Sequence, residues 1–257
     1  MDLELTLKNR GIYRVVILNG WACPKALWTD FSDAFSGLPC VVMDMDFSEG
    51  VGSAQHLELL ARQVDEGTLL IGWSLGGMLS IQLLAELEKR DKGVAEAWLL
   101  MSGPCFTHKH YVPQAMSDKE FDRFAASLES KETFTKLFTQ LVCRGSDSAK
   151  ADIKLLRKVF AEASVADSLR LREGLQLLKA LDLSAELGRL ESSINWVFGE
   201  QDSLLDISVG RYVQDHYKQH QCFILPNLGH LPCGGQKGRV LDLIGSSVGV
   251  VESERVR

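Results

Sequence analysis

A serine set between two glycines has the most evident chemical potential of any residue in this chain. Gly72, Ser74 and Gly76 form the pattern G-x-S-x-G. An apolar run at 68–71 precedes the pattern, and a helix pattern begins after it at Met78. Such a strand-to-helix turn holds its serine in strained backbone geometry, and the glycines let the neighbouring backbone pass closely. We predict that Ser74 is a nucleophile; the alternative is a glycine-rich turn with a serine there by chance.

A serine nucleophile needs a base that accepts its proton, and the base needs an acid that orients it. In sites of this kind the chain order is serine, then acid, then histidine. Asp202 follows the apolar run 194–198, and His230 follows the run 222–225. Because both residues would lie in loops at the carboxyl ends of strands, we predict that they converge on Ser74.

Other residues near these two are alternatives for the same roles. They are Glu200, Asp206, His216 and His220. Asp202 is favoured as the acid because it lies in the first loop turn after its strand. His230 is favoured as the base because the other two histidines lie in a predicted helix before the last strand. Structural roles, as a turn or helix-cap aspartate and a surface-loop histidine, remain open.

A tetrahedral intermediate also needs amide hydrogens that stabilise its oxyanion. The N–H of Leu75, next to the nucleophile, is one candidate. The second should come from the loop after the first apolar run, 14–18. Gly20 lets that loop approach closely, and the N–H of Trp21 is our candidate. The alternative is a simple turn with Trp21 as a core side chain.

Strand patterns alternate with helix patterns early in the chain and return late. The apolar runs lie at 14–18, 40–43, 68–71, 97–101, 194–198 and 222–225. The segment between the fourth and fifth runs has helical spacing and almost no β-branched runs. We predict an α/β fold in which helices flank a mostly parallel central sheet. Its core would comprise 1–104 and 190–257, with a helical cap, 105–189, inserted late in the sheet.

Bulk composition excludes several classes of protein. The 257 residues are 46% hydrophobic and 24% charged, with a formal net charge of −6. This is an ordinary globular composition without a general attraction for nucleic acid or anionic lipid. The uncharged stretch 67–85 contains too many glycine and polar residues for a membrane span. We expect no nucleic-acid partner, no membrane association and a monomer.

Cysteines and histidines give no sign of a disulfide framework or a metal site. The six cysteines are widely spread, and none has C-x-x-C spacing. Together with an acidic start that lacks a secretory pattern, this predicts mostly buried thiols in a reducing cytoplasm. His108 and His110 lack a third ligand at helical spacing. We expect no metal and no cofactor.

Several segments together resemble one family. They are N-G-W-A at 19–22, G-W-S-L-G-G at 72–77, S-G-P-C-F at 102–106, G-x-x-D ending at Asp202, and G-H-L-P at 229–232. Over most of its length the chain resembles the α/β-hydrolase superfamily and, within it, the pimeloyl-acyl-carrier-protein methyl ester carboxylesterases of biotin synthesis. The resemblance implies an α/β-hydrolase fold and hydrolysis of an acyl methyl ester without a cofactor.

The resemblance also implies roles for particular residues. It places Trp21 and Leu75 at the bound acyl end. Cap residues that would line the pocket are Phe138, Thr139, Gln140, Leu141 and Val142. Bases that would meet an acidic acyl carrier protein are Lys150, Lys154, Arg157 and Lys158. These four fall near one helix face, and the alternative is a solvated face without a partner.

Two other functions remain open at this point. The same three residues would also serve a broader carboxylesterase, an acyl thioesterase or an enzyme that cleaves a carbon–carbon bond, because cap residues determine which bond is cleaved. A non-catalytic ligand-binding protein could share the fold, since fold does not determine function. The ordered set of Ser74, Asp202 and His230 favours the enzyme, because a binding protein has no need of all three.

Overall fold

Six parallel strands form the centre of the protein. This computed structural model describes residues 2–43, 52–107, 116–162 and 168–246. The strands are β1 (Arg14–Leu18), β2 (Cys40–Met43), β3 (Thr68–Trp73), β4 (Glu96–Leu100), β5 (Ile194–Gly199) and β6 (Gln221–Leu225). Their order across the sheet is β2-β1-β3-β4-β5-β6, and every neighbouring pair is parallel. The α/β class predicted from the alternation of patterns is confirmed.

Helices cover the sheet and fill the interval between β4 and β5. Before β4 lie α1 (Leu3–Asn9), α2 (Thr29–Ser32), α3 (Ala54–Ala61) and α4 (Leu75–Glu88). Between β4 and β5 lie α5 (Asp118–Ala126), α6 (Lys131–Cys143), α7 (Ala149–Glu162), α8 (Ser168–Ala180) and α9 (Ser184–Arg189). The last two are α10 (Ile207–His216) and α11 (Lys237–Ser246). The division into a core and a cap domain stays a prediction.

The central strands are apolar because helices cover both faces of the sheet. All six residues of β3 are buried, whereas the edge strands β2 and β6 are only partly buried. Four tryptophans, one in a short helical turn and three in strands, are fully buried in the core: Trp28, Trp73, Trp98 and Trp196. A second group of aromatic side chains packs among α5, α6 and α7 and comprises Phe121, Phe124, Phe134, Phe138 and Phe160.

Two local expectations differ from the structure. The helix expected from Met78 begins at Leu75, directly after the nucleophile candidate. Glycines of low helix propensity occupy its first turn because a Cβ there would collide with backbone or side-chain atoms of neighbouring segments. His220 lies in a turn after α10, not in the helix, which ends at His216.

Strand register brings the loops that follow five strands to one edge of the sheet. Leu18 lies beside Gly72, and Trp73 lies beside Leu100, so β1, β3 and β4 end level. Gly199 lies beside Leu225 at the ends of β5 and β6. The loops that carry the predicted catalytic residues therefore leave the sheet on the same side. None of the helices in the described part of the chain has the length and apolar content needed to cross a bilayer.

Candidate active site

Ser74 occupies a strained turn between β3 and α4. Its φ is +54° and its ψ −119°, which is uncommon for a residue with a side chain. Four hydrogen bonds hold the turn. The Ser74 N–H donates to the Leu100 carbonyl at 3.0 Å. The Ser74 carbonyl accepts from Gly77 N at 3.0 Å, from Met78 N at 3.2 Å and from Ser102 Oγ at 2.8 Å. The conformation is thus imposed by contacts from the neighbouring strand as well as by its own turn.

Glycines let three segments meet at the nucleophile candidate. A Cβ on Gly76 would lie 2.0 Å from the carbonyl oxygen of Leu18. A Cβ on Gly72 would lie 2.7 Å from the carbonyl oxygen of Gly76. Since neither distance is compatible with a side chain, the first turn of α4 packs directly on the end of β1. This contact brings the loop after β1 beside Ser74.

Asp202 and His230 form a buried acid–base pair. His230 Nδ1 lies 2.7 Å from Asp202 Oδ2, and the two side chains are 3% and 1% exposed. The other carboxylate oxygen, Oδ1, accepts from the N–H groups of Leu204 and Leu205 at 2.8 and 3.0 Å. Neutral imidazole that donates from Nδ1 to a carboxylate leaves Nε2 free to accept a proton.

The structure places both Ser74 and His230 in the wall of one small cavity. The other lining residues are mostly apolar and comprise Gly20, Trp21, Trp73, Phe106, Phe124, Phe138, Leu175, Leu178 and Leu204. The cavity volume of about 20 Å³ is room for roughly one water molecule. The cavity in this conformation has no room for an acyl chain, so residues of its wall would have to move to admit one.

The five consecutive residues of α6 expected along the pocket separate in the structure. Phe138 lines the cavity. Thr139 and Val142 are buried elsewhere, Gln140 is exposed and Leu141 is partly buried. Neighbouring residues of a helix are turned by about 100°, so five in a row cannot face one cavity. The sequence also missed four lining residues, which lie on α5, on α8 and in the loop after Asp202, and no local motif marks them: Phe124, Leu175, Leu178 and Leu204.

Trp21 has contacts on both sides of the cavity. Its indole Nε1 donates to the Leu171 carbonyl of α8 at 3.0 Å. Its ring packs edge-on against Phe124, Phe134 and Phe138 at centroid distances of 5.5 to 5.8 Å. The side chain is thus a core side chain, which was the alternative considered for it, but it also lines the cavity beside Ser74.

Two backbone N–H groups next to the cavity have no acceptor within the part of the chain that the structure describes. Neither Trp21 N nor Leu75 N donates to any described residue. Buried amide hydrogens are rarely left without an acceptor, so an unpaired pair close to a nucleophile suits an anion. These are the two groups that the sequence suggested as oxyanion donors.

The four bases of α7 lie on the protein surface. Lys150, Lys154, Arg157 and Lys158 are all exposed, and none forms an ion pair with a described residue. Asp152, on the same helix, is buried, and its carboxylate accepts from Gly235 N at 2.7 Å. This bond ties α7 to the loop that follows His230, so the exposed bases have a defined position relative to the cavity.

Other groups that could bind a ligand are few. No set of three His, Cys, Asp or Glu side chains among the described residues is arranged to hold a metal ion. His108 and His110 lie outside the described residues. All six cysteines are free thiols, four of them buried. Burial raises the pKa of Cys143 and of Cys222 to about 12, so these thiols are poor nucleophiles.

The chain belongs to the alpha/beta hydrolase family, whose model matches residues 15–242. Among its relatives it is similar to the pimeloyl-[acyl-carrier protein] methyl ester esterase of Pseudoalteromonas atlantica, at 28% identity over 90% of this chain and 93% of that protein. It is also similar to the enzyme of the same name from Nitrosomonas europaea, at 26% identity over 85% of this chain and 88% of that protein. The predicted resemblance is confirmed.

Solved structures agree on the fold. An esterase from Exiguobacterium antarcticum superposes with a TM-score of 0.73 at 14% identity, covering 90% of each chain. At this identity the likeness concerns the fold alone. Family membership and esterase relatives together support the expected enzyme class, a hydrolase that acts on ester bonds.

Proposed function

We propose that this α/β-hydrolase is a serine carboxylesterase with Ser74 as nucleophile, His230 as base and Asp202 as the acid that orients the base. The observation that carries the proposal is the 2.7 Å contact between His230 Nδ1 and Asp202 Oδ2, with His230 and Ser74 in the wall of the same cavity. A carboxylate, an imidazole and a hydroxyl gathered in this order are the components of nucleophilic acyl transfer.

The reaction proceeds in two halves. Ser74 Oγ attacks the ester carbonyl carbon while His230 Nε2 accepts the hydroxyl proton, and the amide hydrogens of Trp21 and Leu75 stabilise the oxyanion. The C–O bond to the alcohol then breaks, and His230 returns the proton to the leaving alkoxide. Water, deprotonated by the same imidazole, attacks the acyl-enzyme and releases the acid and free Ser74.

The substrate proposed is a methyl ester on an acyl chain. The cavity wall around Ser74 is aromatic and aliphatic, and His230 is its one titratable side chain. A charged acyl end would lose its hydration there and find no partner, at a large cost in free energy. A neutral ester would lose much less on entering the same space. Relatives named pimeloyl-[acyl-carrier protein] methyl ester esterase support this choice. The product alcohol would be methanol, and the pathway biotin synthesis.

Acyl carrier protein is the proposed carrier of that chain. The exposed, unpaired bases of α7 suit an acidic partner, and they stand out on a protein whose formal net charge is −6. The helices between β4 and β5 would act as the cap through which the acyl chain enters. The cytoplasmic location and the monomeric state stay predictions.

Labelling and turnover test the proposal together. The wild-type protein should react with a fluorophosphonate probe and hydrolyse acyl methyl esters, and Ser74→Ala should do neither. Retained hydrolysis in Ser74→Ala would contradict the assignment of the nucleophile. Ligand binding that survives in Ser74→Ala, with no ester hydrolysed by the wild type, would favour a non-catalytic binding protein.

Two separate experiments test which type of bond the protein cleaves and whether it acts in biotin synthesis. A series of acyl methyl esters compared with the matching acyl thioesters should give higher kcat/KM for the methyl esters. The gene should restore growth without biotin to a strain that lacks its own methyl esterase, and the Ser74→Ala gene should not. Preference for thioesters, or failure of complementation by an active protein, would contradict the proposed substrate.

A further inference from the structure

Trp73, the residue directly before the nucleophile candidate, is buried between the parts of the site. It is 1% exposed and lines the cavity that contains Ser74 and His230. Three separate segments contact its indole: the loop of His230, the loop after β1, and the short helical turn that ends at Trp28.

The contact with His230 involves both its backbone and its ring. Trp73 Nε1 donates to the His230 carbonyl at 2.8 Å. The indole and imidazole centroids lie 5.8 Å apart, with the ring planes inclined by 47°. Because Asp202 holds the imidazole at Nδ1 and Trp73 holds the backbone of the same residue, His230 is fixed at two points.

The contact with the loop after β1 is equally close. A Cβ on Gly20 would lie 2.7 Å from Cε3 of Trp73, so the backbone of this loop rests on the indole. Only glycine allows that approach. The N–H proposed to stabilise the oxyanion belongs to the next residue, Trp21. The same indole therefore contacts both the residue that carries the base and the oxyanion loop.

Trp28 and Asn19 continue this packing. Trp28 packs edge-on against Trp73 at a centroid distance of 5.8 Å, and its Nε1 donates to Asn19 Oδ1 at 2.7 Å. The Asn19 side chain also accepts from Gly20 N at 2.8 Å and donates to the Cys23 carbonyl. One buried amide thus spans the loop from its first residue to its last.

The loop that this amide spans is strained, which is why it needs support. Ala22 has a φ of +62°, in the left-handed region that favours glycine. A residue with a side chain stays in that conformation only when its surroundings hold it there. The hydrogen bonds of Asn19 and the packing of Trp28 on Trp73 provide this restraint.

We infer that Trp73 is a positioning residue: it sets the separation between His230 and the oxyanion loop, and Trp28 and Asn19 transmit the same restraint to Trp21. The inference rests on the proposed esterase function. It assigns Trp73 no bond making or breaking. Its effect would be on the transition state, where base and oxyanion donors must both be in place.

A buried tryptophan outside the cavity lining provides the matched control. Trp98 on β4 is fully buried, stacks on Phe223 and donates one hydrogen bond, from Nε1 to Glu96 Oε2 at 3.1 Å. Changing either tryptophan to phenylalanine removes one indole hydrogen bond and the same volume. Trp73→Phe and Trp98→Phe should therefore cost comparable stability, measured by urea unfolding.

Their effects on turnover should differ. We expect Trp73→Phe to lower kcat about 10- to 100-fold, with KM within roughly twofold of wild type, because misplacement acts on the transition state. Trp98→Phe should keep kcat within about twofold. Equal losses of kcat in the two variants would overturn the inference and leave Trp73 as a core residue. Hydrolysis and fluorophosphonate labelling by the wild type are measured first, so that failure of the proposed function is recognised separately.

The leaving group of the ester distinguishes the contact of Trp73 with His230 from its contact with the loop after β1. Methoxide needs a proton from His230 in order to leave, whereas p-nitrophenolate does not. Trp73→Phe should therefore lower the rate on a methyl ester more than on the p-nitrophenyl ester of the same acyl chain. Trp28→Phe, which loses the bond to Asn19 and leaves the bond to His230, should lower both rates equally. The ratio of the methyl ester rate to the p-nitrophenyl ester rate should thus differ between Trp73→Phe and Trp28→Phe. An equal ratio in the two variants would overturn the inference that Trp73 positions His230.

Discussion

Asp202 and His230 lie 28 residues apart in the chain, yet 2.7 Å separates Oδ2 of one from Nδ1 of the other. Their loops meet because β5 and β6 end side by side, with Gly199 beside Leu225. Gly199 also allows the close approach, since a Cβ there would lie 2.4 Å from the Leu228 carbonyl oxygen. The two side chains therefore meet because β5 and β6 end side by side, and neither loop alone would bring them together.

The carboxylate of this pair should matter for rate and little for folding. In Asp202→Asn the imidazole would be held in the wrong tautomer, so kcat should fall by about 10³–10⁴-fold. An amide oxygen can still accept from Leu204 N and Leu205 N, which keeps the loop folded. Steady-state kinetics on an acyl methyl ester and urea unfolding measure the two effects.

Asp206 provides the control for that substitution. It is the N-cap of α10, where its Oδ1 accepts from Ser208 N at 2.8 Å. Asparagine caps helices about as well as aspartate, so Asp206→Asn should keep both activity and stability. A larger loss of kcat in Asp206→Asn than in Asp202→Asn would show that the acid has been assigned to the wrong residue.

Gly76 should tolerate no side chain. In Gly76→Ala the new Cβ would lie 2.0 Å from the Leu18 carbonyl oxygen, and both elements are packed in the core. We expect a loss of about 3 kcal/mol or more in the free energy of unfolding, measured in urea, together with loss of activity. The activity falls because α4 and the loop after β1 must separate to admit the methyl group.

Gly93 is the matched position for this change. Nothing lies within 4 Å of a Cβ built there. Gly93→Ala should therefore change the free energy of unfolding by no more than about 1 kcal/mol and leave kcat unchanged. Equal stability of the two alanine variants would contradict the close packing of α4 on β1.

The bases of α7 should affect carrier-bound substrate and spare free substrate. The double substitution Lys154→Glu with Arg157→Glu should raise KM for an acyl-carrier-protein methyl ester about tenfold. For a short free methyl ester kcat/KM should not change, because the exposed side chains are outside the cavity lining. The rise in KM caused by the double substitution should become smaller as salt is added, because salt screens the attraction between exposed charges.

Lys92→Glu is the charge control. Lys92 is exposed and lies just before β4, at the edge of the sheet opposite the cavity. The substitution Lys92→Glu changes the net charge and leaves α7 unaltered, so KM for the carrier-bound ester should stay close to the wild-type value. A double variant of α7 with unaltered KM would leave those bases as a solvated face, the alternative considered from the sequence.

His220 should make the protein less stable at mildly acidic pH. Burial lowers the pKa of His220 below its ordinary 6.5. Its Nδ1 accepts from Ile194 N, which the protonated ring could not do. As pH falls through the ordinary value, the unfolded chain binds a proton before the folded protein does, so the free energy of unfolding decreases.

Replacement of the His220 imidazole should make the free energy of unfolding less dependent on pH. In His220→Asn the amide oxygen can accept from Ile194 N, and nothing at this position titrates. Urea unfolding below and above the ordinary histidine pKa should show a smaller decrease for His220→Asn than for wild type. The same decrease in both proteins would mean that other groups cause the acid sensitivity.

The chemistry and class of the site could be predicted from the sequence because their signals are local. The glycines around Ser74 sit within two residues of it, and the strand and helix patterns are contiguous with them. Alternating apolar runs likewise predicted the parallel sheet. These patterns depend on backbone sterics and on periodicity, which short stretches of chain express by themselves.

Other features depended on contacts between distant segments. The sequence favoured Asp202 over its neighbours Glu200 and Asp206 by its place in the loop, and the contact between Asp202 and His230 depends on how two separate loops fold together. Helix α4 begins at Leu75 because the end of β1 and Ser102 leave no room for side chains at the glycines that follow. The apolar pattern alone placed that helix start three residues later, at Met78.

By itself the sequence determined which residue types are available for catalysis, their order along the chain and the parallel architecture that carries them. The tertiary structure alone decided that Phe138, and not the four residues after it, reaches the cavity, and that Trp73 contacts both His230 and the loop at Gly20. The physical reason is that such contacts join segments up to 157 residues apart. They arise when strands align and side chains pack, and no local pattern records that alignment.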